Sequence, residues 1–306
     1  MKKRSLFISV LGLTIFVSGC NNSEPDQYTE EQISQVEHPS KGEFDSKKDR
    51  IDQWKYIVER KEKEEKESEE REKQQETEEP NIPEDIKITF QNGEFFLPKE
   101  YFNILKTVNG EKTIQNPNNI LVMANKSLYL PSTFKPADLV QPDVPFVFKG
   151  ASQNYMRKIA ADALEKMFAA AKNDGIKLIA RSGFRSYQTQ KIVFDREVAE
   201  VGYDKAILAV AKPGTSEHQT GLTMDITANS VNQQLVEKFG ETKEGKWLRD
   251  HAHEFGFILR YPKGKEDITG YMYEPWHFRY VGKEAAKIIY ENNWTLEEFF
   301  NVVKEI

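Results

Sequence analysis

The chain has 306 residues, a formal net charge of −6, a mean hydropathy of −0.67 and a single cysteine. One cysteine rules out an internal disulfide framework and any multi-cysteine metal site. The only long apolar run is at the N-terminus, which rules out a polytopic membrane protein. The charge is uneven: +3 over residues 1–19, −9 over 20–79 and zero over 80–306. The neutral part is long enough for one substantial core. The mildly acidic balance gives no electrostatic footprint for nucleic acid, and none is expected as a partner.

In chain order, Lys2, Lys3 and Arg4 precede an apolar stretch, Ser5 to Val17, of signal-peptide length. It ends in Val17-Ser18-Gly19-Cys20, which resembles a bacterial lipobox. That resemblance implies a signal peptide over 1–19, a lipid on Cys20 and a place on the extracellular face of the bacterial cell membrane. Residues 20–50 are polar and aperiodic and are expected to form a disordered linker. Residues 51–82 read as a charged helical tether. Its 59–79 stretch is nearly all Glu, Lys, Arg and Gln and lacks the apolar seam of a coiled coil. Pro80 and Pro83 end it.

Residues 83–150 are expected to be a small segment packing on the main domain, 151–306. Ile86–Phe90 reads as a short strand, Gln91-Asn92-Gly93 as a turn, and Asn119–Leu130 as a strand pair around Asn125-Lys126. Four prolines between 131 and 145 imply an extended wrapping stretch. The spacing predicts a helix over Ser152–Asp174 with Met156, Ile159, Ala163, Met167 and Ala170 on its apolar face, stopped by Gly175. A buried strand is expected at Ile176–Ala180, and a helix capped by Ser186 running to about Glu200. Leu222, Met224 and Ile226 alternate as in a strand. Trp247, Leu248, His251, Ala252 and Phe255 share a helix face, with His251 in the core and His253 exposed. Met272–Val281 reads as a strand, followed by helices near 282–292 and 295–305. Strands and helices interleave without a βαβ repeat. The fold class is therefore α+β, a small, mostly antiparallel sheet flanked by helices, with the tether in front.

Of five histidines, His38 lies in the linker. His218 falls in Ser216-Glu217-His218-Gln219-Thr220-Gly221. Asp225 follows seven residues later on a strand, pointing away from Met224 and Ile226. His277 lies in Glu274-Pro275-Trp276-His277. Two imidazoles and a carboxylate suit one zinc ion with a fourth position open for water. Spacing alone leaves Glu274 as either a ligand or a base beside the metal.

Ser-x-His-x-x-Gly-x-x-x-Asp over 216–225 with Glu-x-x-His over 274–277 resembles the VanY/LdcB family of zinc carboxypeptidases. The resemblance extends to residues 182–190, to Phe255–Pro262 and to Pro275–Tyr280, covering roughly 116–292. Thr223-Met224 depart from the small residue and valine that the family often has before the aspartate. By position, the family implies zinc on His218, Asp225 and His277, and a water-activating Glu274. It implies an Arg185 that stabilises the oxyanion or holds a substrate carbonyl. Ser216 and Gln190 would hold the terminal D-alanine, and Tyr187 and Trp276 would line the cleft. The implied activity is removal of a C-terminal D-alanine from peptidoglycan stem peptides. D,D-cleavage is favoured slightly over L,D-cleavage, and a monomer is expected. The alternatives are a zinc endopeptidase of wall cross-links and a non-catalytic wall-binding lipoprotein. A serine-type enzyme fits poorly. Its Ser-x-x-Lys occurs once, at 132–135 between Pro131 and Pro136, with no Lys-Thr-Gly after it.

Overall fold

The structure, a computed structural model, describes residues 86–306. The expected signal peptide, Cys20, the linker and the tether lie outside the described residues. The central sheet has four antiparallel strands in the order β10-β11-β9-β8. These are β8 (Ile179–Ser182), β9 (Thr223–Thr227), β10 (Phe257–Leu259) and β11 (His277–Tyr280). Both faces of β9 are buried. Met224 and Ile226 therefore pack into the core on one side, while Asp225 is sealed on the other.

Three small sheets surround it. β1 (Thr89–Gln91) and β2 (Glu94–Leu97) form a hairpin through Asn92-Gly93, joined in parallel by β12 (Lys304–Glu305) near the C-terminus. β3 (Leu105–Val108) and β4 (Glu111–Ile114) form a second hairpin, and β5 (Leu128–Tyr129) adds to β4. β6 (Leu139–Val140) in the proline-rich stretch pairs with β7 (Met156–Arg157). The described helices are α1 (Lys158–Asn173), α2 (Tyr187–Val201), α3 (Tyr203–Ala209), α4 (Lys243–His251), α5 (Glu266–Thr269), α6 (Lys283–Glu291) and α7 (Leu296–Val302). One apolar core runs from Ile86, Leu97 and Ile114 through Leu164, Met224 and Phe278 to Phe299. Residues 86–150 and 151–306 thus share their burial. Among the described residues, no helix is long and apolar enough to cross a membrane.

The α+β class and the mostly antiparallel sheet hold, and several element expectations are corrected. The helix expected from Ser152 begins at Lys158, because Met156-Arg157 are taken up by β6. Its most buried residues are consequently Ala160, Ala161, Leu164, Met167, Phe168 and Ala171, while Ile159, Ala163 and Ala170 are only partly covered. Residues 119–124 turn instead of forming a strand. Ile120, Leu121 and Val122 are buried, and the carbonyls of Ile120 and Val122 accept bonds from Arg279. The strand expected from Met272 starts only at His277. His251 is not a core residue: its side chain is 42% exposed and pairs with Glu254. His253 is half-buried and stacks on Tyr290 with ring centroids 3.7 Å apart. The Ser186 cap is present, its hydroxyl accepting from the Thr189 amide at 3.1 Å.

Candidate metal centre

Adjacent strands and one tight turn place three side chains together. Asp225 on β9 is directly opposite His277 on β11. His218 comes from a single 3-10 turn, Glu217–Thr220, which closes on Gly221 with φ +67°. A Cβ on Gly221 would sit 2.9 Å from Leu139 Cδ2 and 3.1 Å from Arg157 Cγ, so the positive φ and the close approach to β6 and β7 both favour glycine here. His218, Asp225 and His277 are all buried, and one possible ligand atom from each lies within 4.8 Å of the others.

His218 Nδ1 donates to the Gly183 carbonyl at 2.7 Å, which leaves Nε2 as the lone-pair nitrogen. That Nε2 is 3.4 Å from Asp225 Oδ2, and His277 Nδ1 is 3.2 Å from Asp225 Oδ1. Two metal–ligand bonds of about 2.0–2.1 Å at a tetrahedral angle put donors roughly 3.3 Å apart. Asp225 Oδ1 is buried yet makes no hydrogen bond. The donor set, its spacing and this unpartnered oxygen fit a zinc ion.

The electrostatics agree. Burial pushes the His218 pKa down to about 3, helped by Arg185 and His277 against the pull of Asp225, so the ring is neutral and can ligate. Burial alone would raise the Asp225 carboxyl. His218, His277 and Arg185 outweigh it and hold Asp225 ionised. Burial alone would lower His277, but the facing carboxylates of Asp225, Glu217 and Glu274 raise it to about 9. A ring that retains its proton among carboxylates marks a place where positive charge is stabilised, and a metal cation competes for that position.

Glu274 lies 3.5 Å from His277 Nδ1, on the same side of the ring as Asp225. Its peptide is held by two backbone bonds, Glu274 N to the Tyr261 carbonyl and His277 N to the Glu274 carbonyl. Burial raises its pKa to about 7, His277 opposing and Asp225 adding to the shift. Such a carboxyl can accept and release a proton near neutral pH. Arg185 stands beside the N-cap of α2. It donates to Gln190 Oε1 at 2.9 Å and Ser182 Oγ at 3.1 Å. Burial lowers its pKa, and the charges of Asp225 and Glu274 work the other way. An arginine remains cationic there.

Of the remaining expected residues, Gln190 bonds to Arg185, and Ser216 and Trp276 neighbour His218 and His277 in the chain. The Gln190 amide is committed to the protein, accepting from Arg185 and donating to the Ala211 carbonyl at 2.7 Å, so here it orients Arg185. Ser216 is buried immediately before the His218 turn. Tyr187 opens α2 with its ring against Gly214. Trp276 is half-buried and its carbonyl accepts from Ile226 at 2.8 Å. Sequence reasoning assigned no role to Glu217, Arg260, Tyr261 or Arg279, although all four fall within its motifs. Glu217 bridges Arg260 Nε at 2.9 Å and Arg279 Nη1 at 2.8 Å, and the Tyr261 ring packs 4.8 Å from that of His277. The available signal was a charged residue in an otherwise apolar run, Arg279 between Phe278 and Tyr280.

A His/Asp/His set on two strands and a turn, with an adjacent titratable carboxyl, defines a metallopeptidase-type centre, and comparison with known proteins identifies which kind. The VanY family, D-alanyl-D-alanine carboxypeptidase, matches residues 153–283. The chain is 57% identical over 221 residues to YodJ of Bacillus subtilis (strain 168), a protein named as a carboxypeptidase. That match covers 72% of this chain and 81% of YodJ. The chain belongs to the VanY family of carboxypeptidases. A D-alanyl-D-alanine carboxypeptidase of Enterococcus faecalis (strain ATCC 700802 / V583) is 43% identical over 46% of this chain and 54% of its own length. Among solved structures, the LdcB LD-carboxypeptidase is 57% identical with a TM-score of 0.67, covering 69% of this chain and 99% of that one. VanYB in complex with D-alanine-D-alanine is 36% identical with a TM-score of 0.50, covering 60% and 97%.

Proposed function

We propose that this protein removes the C-terminal D-alanine from peptidoglycan stem peptides at a zinc centre formed by His218, Asp225 and His277, with Glu274 as the base. The observation that carries the reading is Glu274. It is a mostly buried carboxyl with its pKa raised to about 7, 3.5 Å from the His277 nitrogen that faces Asp225. A zinc ion bound there would polarise the scissile carbonyl and bring the pKa of water down to about 7. Glu274 takes a proton from the attacking water as its oxygen bonds to the carbonyl carbon. It then gives that proton to the departing amine of D-alanine when the C–N bond breaks. Arg185, fixed by Gln190 and Ser182, offers its remaining N–H groups to the carbonyl oxygen or to the terminal carboxylate.

Two specificities are to be separated. The 57% identity to LdcB over nearly all of that chain supports L,D-cleavage, releasing D-alanine from a tetrapeptide. The 43% identity to a D-alanyl-D-alanine carboxypeptidase supports D,D-cleavage of a pentapeptide, the activity slightly favoured by the motifs. We favour the L,D reading because its support combines the higher identity with the wider coverage. Purified protein is incubated with tri-, tetra- and pentapeptide stems, with and without chelator, and released D-alanine is measured. Release from the tetrapeptide, abolished by chelator, is expected. Release from the pentapeptide alone reverses the specificity, and release that persists in chelator removes the metal mechanism. Lipid attachment at Cys20 and an extracellular membrane position complete the proposal. Palmitate labelling that survives Cys20→Ser would refute them.

A further inference from the structure

Glu217, Arg260 and Arg279 are fully buried charges with no part in the chemistry described above. Buried ion pairs are expensive, and apolar replacements are often as stable, so stability is a weak reason for them to be there. Their arrangement is more informative. Both arginines donate to the same oxygen, Glu217 Oε1, at 2.9 and 2.8 Å. Each has other partners as well. Arg260 forks onto Glu297 at 2.8 and 2.6 Å, and Arg279 donates to the Ile120 and Val122 carbonyls. Glu217 Oε2 is left buried and without a partner. It faces His277 Nε2 at 3.8 Å, and that nitrogen is also buried and without a partner. The other nitrogen of the ring, Nδ1, faces Asp225 and Glu274.

A neutral imidazole has one N–H and one lone pair, so a partner for one nitrogen decides what the other can do. Building on the zinc reading of this site, we propose that Glu217 is a positioning residue. It accepts a hydrogen bond from His277 Nε2–H, which fixes the tautomer and the ring angle that present the Nδ1 lone pair to the metal. Arg260 and Arg279 hold Glu217 by its other oxygen, Oε1, and so aim the free one at the ring. Closing from 3.8 Å to the roughly 2.8 Å of a charge-assisted bond takes a shift of about 1 Å, within reach of a small ring rotation. Carboxylates that receive the outer N–H of a ligating histidine typically contribute about 10–100-fold to metal affinity.

The test uses the full-length protein. Wild type loaded with cadmium-113 and labelled with nitrogen-15 is examined by long-range proton–nitrogen spectroscopy of the histidine rings. Expected are cadmium coupling to His277 Nδ1 and a slowly exchanging proton on Nε2. Coupling to Nε2, or an Nε2 proton that exchanges like that of a surface histidine, overturns the proposal without any variant. In parallel, zinc Kd is measured by chelator competition. Glu217→Gln is expected to weaken it about 10–100-fold. Leu164→Ala, a packing change in α1, should leave it within about twofold. Wild-type affinity in Glu217→Gln, or equal weakening in both variants, refutes the positioning role while the zinc centre stands. A wild type that binds no stoichiometric zinc refutes both.

Discussion

Replacing Glu274 by glutamine keeps the shape of the side chain and removes its ability to carry a proton. The carboxyl lies 3.5 Å from His277 Nδ1 with 16% of its side chain exposed, and its pKa is raised to about 7 by burial. It keeps some solvent exposure and is not one of the three grouped candidate ligands. Loss of a positioned general base costs about 10²–10⁴ in rate, or roughly 2.7–5.4 kcal/mol in the barrier at 1.36 kcal/mol per tenfold. The expected outcome for Glu274→Gln is that fall in kcat with one zinc per chain retained. The pH dependence has a definite sign. The base works only when ionised, so activity falls as pH drops through its pKa. With a group at about 7, roughly a tenth of the base remains at pH 6. A bound dication lowers that pKa, so the acid limb of kcat/KM lies at or below 7 in the metal-loaded protein, and Glu274→Gln abolishes it. Steady-state kinetics across pH, with zinc measured by atomic absorption, provide the check. A variant within threefold of wild type refutes the base. A variant that loses zinc makes Glu274 a ligand.

Other parts of the structure give separate expectations. Zinc at about a thousand times its Kd stabilises the folded state by roughly 4 kcal/mol, which lowers Tm by about 8–16 °C on chelation for a body of this size. Scanning calorimetry with and without chelator tests this, and an unchanged Tm would exclude a folded-state site. Thr295→Ala removes a complete capping box on α7, in which the hydroxyl accepts from Glu298 N and the Glu298 carboxylate accepts from Thr295 N. It should cost about 1 kcal/mol in urea unfolding and leave activity unchanged. Arg279→Met leaves Glu217 with one arginine and strips the Ile120 and Val122 carbonyls of their donor. Loss of about 3–5 kcal/mol is expected by denaturant unfolding, and a change below 1 kcal/mol would show that the buried pair is dispensable. Leu164→Ala, with Leu164 fully buried in α1, should cost about 2–5 kcal/mol by the same assay.

Local signals were readable where a residue acts through its neighbours in the chain. Ser186 before α2, Gly175 after α1 and the turn at Asn92-Gly93 satisfy backbone requirements set within a few residues, and the structure places all three as expected. Readings failed where distant pairing overrode local pattern. Residues 152–157 continue the helical spacing, but β6 captures Met156-Arg157 and the helix starts later with its buried face rotated. The apolar run at 120–124 looks like a strand. It turns because Arg279, nearly 160 residues away in sequence, uses its carbonyls. His251 follows an apolar stripe, yet the helix ends there and its side chain turns to Glu254.

By itself the sequence determined which groups could do chemistry. Histidine and carboxylate had to form any metal site, because the one cysteine stands at position 20. The strand alternation also separated Asp225 from Met224 and Ile226. Tertiary structure alone decided which nitrogen of each ring is turned toward Asp225. His218 presents Nε2 because Gly183 takes its Nδ1–H, and His277 presents Nδ1 because Asp225 and Glu274 lie on that side. Glu217 lies on the other side of the His277 ring, held by two arginines from β11 and the end of β10. The physical reason is that tautomer and protonation depend on partners within about 3–4 Å and on exclusion of water. Residues far apart in the chain become such partners only when the strands pair.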